Sequence, residues 1–65
     1  MKYSELTRRL RRLGVRRLAQ GKRHEIWGRI DRQLTTVIPR HPTREVPPGT
    51  LDRILSDLGL TRADL

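Results

Sequence analysis

Gly21-Lys22-Arg23-His24-Glu25-Ile26-Trp27-Gly28-Arg29 is the stretch on which the fold turns. Gly21 and Lys22 make a turn, and the residues from His24 to Arg29 alternate. In an extended strand, His24, Ile26 and Gly28 fall on one face and Glu25, Trp27 and Arg29 on the other. Trp27 is the largest apolar side chain of the chain and belongs in a core. That sends His24 to the opposite face, among cations and away from packing. Imidazole both takes and gives a proton near neutral pH. Lys22 and Arg23 beside it would attract a phosphate. A proton shuttle next to a phosphate site is a minimal apparatus for cutting RNA.

Working outward from this strand, the N-terminal side begins with a helix. Ser4 is placed as an N-cap with Glu5 in the first turn, where its charge suits the positive helix end. Leu6, Leu10 and Leu13 follow at i, i+4 and i+7 as one apolar stripe, with Arg8, Arg11 and Arg12 on the opposite side. Gly14 is a natural stop, so the helix is expected over residues 4–13. Val15 to Gln20 has no helical stripe and is expected to be a strand.

On the C-terminal side, Gly28-Arg29-Ile30-Asp31-Arg32 reads as a turn or short loop. Leu34-Thr35-Thr36-Val37-Ile38 is rich in β-branched residues and ends at Pro39, which predicts a third strand. Residues 40–48 hold Pro42, Pro47 and Pro48 and no periodicity, as a stiff loop would. Pro47-Pro48-Gly49-Thr50 opens a second helix. Leu51, Ile54, Leu55 and Leu58 form its apolar face, and Gly59 ends it. Thr61-Arg62-Ala63-Asp64 has the form of a capping box for a final turn. The order α-β-β-β-α predicts an α+β domain: a three-stranded antiparallel meander with both helices on one face and the other face open. The core is expected to join Trp27 to Leu10, Leu13, Leu51, Ile54, Leu55 and Leu58.

Sixty-five residues make one domain, residues 1–65, with a small core and marginal stability. There is no Cys, so neither a disulfide nor a thiolate metal site supports it. A tight partner is then the remaining stabiliser. No apolar run reaches the length of a membrane span and no secretory signal opens the chain, so a bacterial cytoplasm is the expected location. Fifteen Lys+Arg face seven Asp+Glu, for a formal charge of +8. Thirteen of the fifteen are Arg, whose planar fork fits phosphate better than a point charge does. A GC-rich genome would account for the Arg-to-Lys ratio but not for the net charge. The charge favours a nucleic acid or an acidic protein as partner.

The candidate residues each carry a plainer reading. His24 taken by spacing alone is an ordinary strand histidine, and the basic turn is what argues for chemistry. His41, between Arg40 and Pro42, has a loop-surface position and would assist proton transfer only if the loop returns to His24. Arg8, Arg11 and Arg12 suit either a solvated helix face or a phosphate-tracking surface. Glu25 and Trp27 read as edge and core residues. Two His, no Cys and no carboxylate at ligand spacing argue against a zinc site, and no cofactor motif is visible. The reading therefore expects neither metal nor cofactor.

Taken together, these segments resemble the HicA family of bacterial toxins. Ser4-Glu5-Leu6 and Leu10…Leu13-Gly14 are similar to the family's first helix, and His24-Glu25-Ile26-Trp27 to its histidine strand. Ile38-Pro39-Arg40-His41, Val46-Pro47-Pro48-Gly49-Thr50-Leu51 and Ile54-Leu55-Ser56-Asp57-Leu58-Gly59-Leu60 resemble its strand end, loop and second helix. The last block is the most specific. The resemblance implies a double-stranded-RNA-binding-domain-like fold, metal-independent mRNA cleavage with His24 as the catalytic histidine, and neutralisation by a HicB-type antitoxin. In the family Gly-Ser precedes that histidine; here Lys22-Arg23 does, with a Gly only at 21, so the turn is reshaped and carries two added charges.

The chemistry can be argued without the family. RNA carries its own nucleophile, the 2′-OH, and neutral His24 as general base would direct it at the adjacent phosphorus. Lys22, Arg23 and Arg40 are the cations expected to offset the charge that develops. The antitoxin is expected to be acidic and to cover His24 and Ile26 on the open face. Two rival functions share the same fold and charge. One is a non-catalytic module that binds double-stranded RNA by shape; the other is a basic protein-binding domain.

Overall fold

The computed structural model describes residues 1–65, and the element order is that expected. Helix α1 runs Tyr3–Arg12, strands β1, β2 and β3 run Arg16–Gln20, His24–Arg29 and Leu34–Pro39, and helix α2 runs Pro48–Asp57. Two short 3₁₀ turns, Ile30–Arg32 and Arg62–Asp64, join β2 to β3 and close the chain. The sheet order is β1-β2-β3 and both pairings are antiparallel, so β2 is central. The α+β fold is consistent with a double-stranded-RNA-binding-like domain. No helix is long and apolar enough to cross a membrane.

Both helices end as their glycines require. Gly14 and Gly59 have φ of 86° and 66°, a region that side chains with a Cβ rarely adopt. Behind each, the next amide reaches back to the third residue from the helix end: Val15 N donates to Leu10 O and Leu60 N to Leu55 O, at 3.0 and 2.8 Å. These are paired Schellman closures, and they seat Val15 and Leu60 against the core. Pro48 stands at the first helical position of α2 after Pro47, where a missing N–H costs nothing.

The start of α1 differs from the expected one. The helix begins at Tyr3, its cap is Lys2, and Ser4 does not cap it. The free amides of the first turn are satisfied from the far loop instead: Tyr3 N donates to Arg44 O and Ser4 N to Pro42 O, each at 3.0 Å. Lys2 and Glu45 form an isolated antiparallel bridge alongside. A cap supplied by backbone some forty residues away leaves no mark in the local sequence. Likewise β2 persists through Gly28 and Arg29, and the turn begins only at Ile30.

The core is one cluster of eleven buried residues. Tyr3, Leu6 and Leu10 come from α1, Val15, Trp27 and Ile38 from the sheet side, and Val46, Leu51, Ile54, Leu55 and Leu58 from α2 and its approach. Both helices therefore cover the Trp27 face of the sheet. Leu13, expected in this core, is only half-buried, because it is already the C-cap where the helix turns away. The one buried polar side chain, Thr36, is satisfied: its hydroxyl donates to Asp57 Oδ2 at 2.8 Å, tying β3 to α2.

Candidate active site and nucleic-acid interface

The strand ladder sets the site. β2 pairs with β3 without interruption from His24↔Pro39 to Arg29↔Leu34, so alternation along β2 holds throughout. Trp27 is 2 % exposed under the helices. His24, three residues away, lies at the end of the central strand on the opposite face and is exposed. The face it shares carries a cross-strand row, Ala19–Ile26–Val37. Ile26 is half-buried rather than free, because its neighbours crowd it; Leu18 and Val37 beside it are 46 % and 38 % exposed. Leu18 sits at a bulge in β1 and drops over Gly28, where an added Cβ would come within 2.7 Å of its methyl and 2.9 Å of Leu34 O. Only glycine admits that approach.

The turn before His24 is held from both ends. Gly21 N donates to His24 O at 2.8 Å, and Arg40 N to Arg23 O at 2.9 Å. The Arg40 guanidinium also donates to Gly21 O at 2.9 Å and reaches Lys22 O at 3.5 Å. A turn built on Lys22-Arg23 is thus closed by an arginine from the end of β3. Arg40, expected as a phosphate contact, spends donors on this clasp. Lys22 and Arg23 are exposed, and neither has an acidic partner.

The other expected cations are not gathered as a set. Arg8 lies exposed on the outer side of α1, 3.7 Å from Glu5, and Arg12 is exposed farther along. Arg11 instead turns over the Trp27 ring, 5.0 Å from its centroid, in cation–π geometry. It is therefore not on a common outward face with the other two. The loop does bring His41 back beside the turn, but on the helix side of the sheet, where it lines a groove with Arg11, Lys22 and Arg40; His24 is not part of that groove.

Two residues beyond those expected belong to this end of the molecule. Glu25 accepts from Trp27 Nε1 at 2.9 Å and from Arg17 at 3.4 Å, and lies 3.7 Å from Arg40 Nε. It is the hub between core, edge strand and turn. Strand alternation placed it on the Trp27 face, so its position was readable. Arg17 was not, because its place opposite Trp27 depends on the bulge that begins after it. No group of three or more His, Cys, Asp or Glu side chains stands in metal-binding geometry.

Comparison with known proteins adds one match. Residues 3–60 fit the family model described as the HicA toxin of bacterial toxin–antitoxin systems. Searches of curated proteins and of solved structures return no significant match. The family match spans both helices, all three strands and the turn that presents His24. The chain belongs to the HicA family of bacterial toxin–antitoxin toxins.

Proposed function

We propose that this toxin is a metal-independent endoribonuclease of a type II system, cutting mRNA with His24 as general acid–base. The observation that carries the reading is an exposed imidazole at the end of the central strand, beside the unpaired Lys22 and Arg23, in a chain of the HicA family. His24 takes the 2′-OH proton, and that oxygen bonds to the adjacent phosphorus as the bond to the 5′ oxygen breaks. The leaving oxygen takes a proton from the imidazolium or from water. The products are a 2′,3′-cyclic phosphate and a 5′-hydroxyl. Lys22 and Arg23 offset the charge on the transferring phosphoryl oxygens. Arg40 keeps the turn in register through the Gly21 and Lys22 carbonyls. Arg8 and Arg12 contribute to attraction over distance. Acid–base help from one imidazole is worth about 10²–10⁴ in rate, which suits a slow nuclease.

Membership of the family implies a cognate antitoxin. We further propose that it is an acidic HicB-type protein that covers the open face, with Ile26, Leu18 and Val37 as apolar contacts and His24 beneath it. Both proteins would then meet in the cytoplasm. The test is cleavage of a 5′-end-labelled mRNA fragment with EDTA present. Activity that persists in EDTA, leaves cyclic-phosphate ends and falls at least 10²-fold in His24→Ala supports the reading. Activity lost to EDTA and restored by Mg²⁺, or an equally active His24→Ala, overturns it.

A further inference from the structure

On the helix side of the same sheet end, one side of α1 from Tyr3 to Arg11, Arg17 of β1, parts of β2 and β3 and residues 39–42 enclose an open groove of about 510 Å³. Arg11, Arg17, Lys22 and Arg40 reach into it, with His41 and a single carboxylate, Glu25. Four cations against one anion leave the groove with a net of three positive charges. Glu25 does not offer itself to a ligand: its side chain is 14 % exposed, and its oxygens face Trp27 Nε1, Arg17 and Arg40. Its effect is to hold two guanidiniums in place. Arg11 is fixed separately by the Trp27 ring. The three arginines are therefore held before anything binds, which lowers the cost of binding an anion.

We infer that this groove is a second phosphate-binding subsite, which takes the single RNA strand flanking the bond held at His24. This rests on the nuclease reading above, and it assigns to Arg11 and Arg17 a role in substrate reach. Lys22 and Arg40 belong both to the groove and to the turn that presents His24. A strand leaving His24 thus crosses the turn and enters the groove on an unbroken cationic path. The volume lies in the range of small-ligand sites and admits roughly one or two nucleotides of single strand, not a duplex. Arginines here suit phosphodiester oxygens, which they contact through two parallel donors.

The experiment measures binding of a single-stranded RNA oligonucleotide to the His24→Ala protein across a salt series, so that cleavage does not intervene. Adding Arg11→Gln and Arg17→Gln should weaken binding about tenfold and lower the salt slope by ~1.4, at ~0.7 per lost contact on a single strand. Because Arg11 supports Trp27, Arg17→Gln alone is the second variant, with about half the change in slope expected. Arg32→Gln with Arg62→Gln removes the same charge outside the groove and should leave the slope unaltered. A groove variant that binds like its parent overturns the inference, as does a charge control that weakens binding equally. So does a groove variant that keeps RNA and loses only an acidic protein partner. A protein with His24 intact that binds RNA without ever cleaving it removes the nuclease reading and leaves the groove standing.

Discussion

The two faces of β2 are built for different purposes within six residues. On the helix side, Trp27 and Ile38 are 2 % and 1 % exposed, and Thr36 reaches Asp57 through a short hydrogen bond. On the other side, Leu18 and Val37 are left in solvent, Ile26 is half covered, and His24 stands free at the strand end. The first face buries the domain's large side chains and carries its stability. The second contributes little to stability and is free to meet a partner or substrate. Substitutions on the two faces should therefore separate cleanly, folding on one side and interaction on the other.

The largest expected effect lies on the helix side. Trp27→Ala should cost about 3–5 kcal/mol, the range for truncating a buried aromatic. A core this small supplies about that much in total. The variant should therefore show no cooperative melting transition by circular dichroism, whereas His24→Ala should melt as the parent does. If Trp27→Ala melts within a few degrees of the parent, the contrast between the faces fails at its root.

What the sequence made legible was this same contrast, because strand alternation is local. Trp27 inward fixes His24 outward, and both glycine stops and the Pro48 start are equally local devices. What escaped was everything supplied from a distance. Ser4 looks like a cap, yet the helix starts one residue earlier, and the Arg44 and Pro42 carbonyls take the Tyr3 and Ser4 amides. Arg11 falls on the polar side of a helical wheel, yet Trp27 on another element draws it inward. Arg17 enters the groove by a register that the bulge at Leu18 sets. Arg40 reads as a free cation, and only the fold shows it gripping the Gly21–His24 turn.

Ile26→Asp tests the open face, with a smaller effect. The side chain is partly exposed at the sheet surface and outside the core cluster, so the free domain should keep its melting temperature within a few degrees. If an antitoxin covers this face, a charge in the middle of the Ala19–Ile26–Val37 row should weaken the complex roughly tenfold or more, as for an anchor residue. The loss should fall mainly on dissociation, while the basic surface continues to drive salt-sensitive association. Calorimetric titration with the cognate antitoxin checks it. Unchanged affinity would place the interface elsewhere.

The smallest effect is a matter of pH, and it belongs to the helix side. Asp64 accepts from Thr61 N at 2.7 Å and from Thr61 Oγ1 at 3.1 Å, completing the capping box of the last turn. The Thr61 amide, then its hydroxyl, holds the carboxyl below its ordinary value, with Arg29 adding attraction. Because the folded form favours the charged state, this contribution is present above the unfolded value of ~3.9 and is lost as pH falls through the lower folded value. That turn seats Leu65 against the core. In acid, the Asp64 and Leu65 amides, which donate to Thr61 O and Arg62 O, should exchange faster once intrinsic rates are corrected. Asp64→Asn should show the acid pattern already at neutral pH and little further change on acidification. A variant that still loosens in acid as the parent does would mean that another group controls this turn.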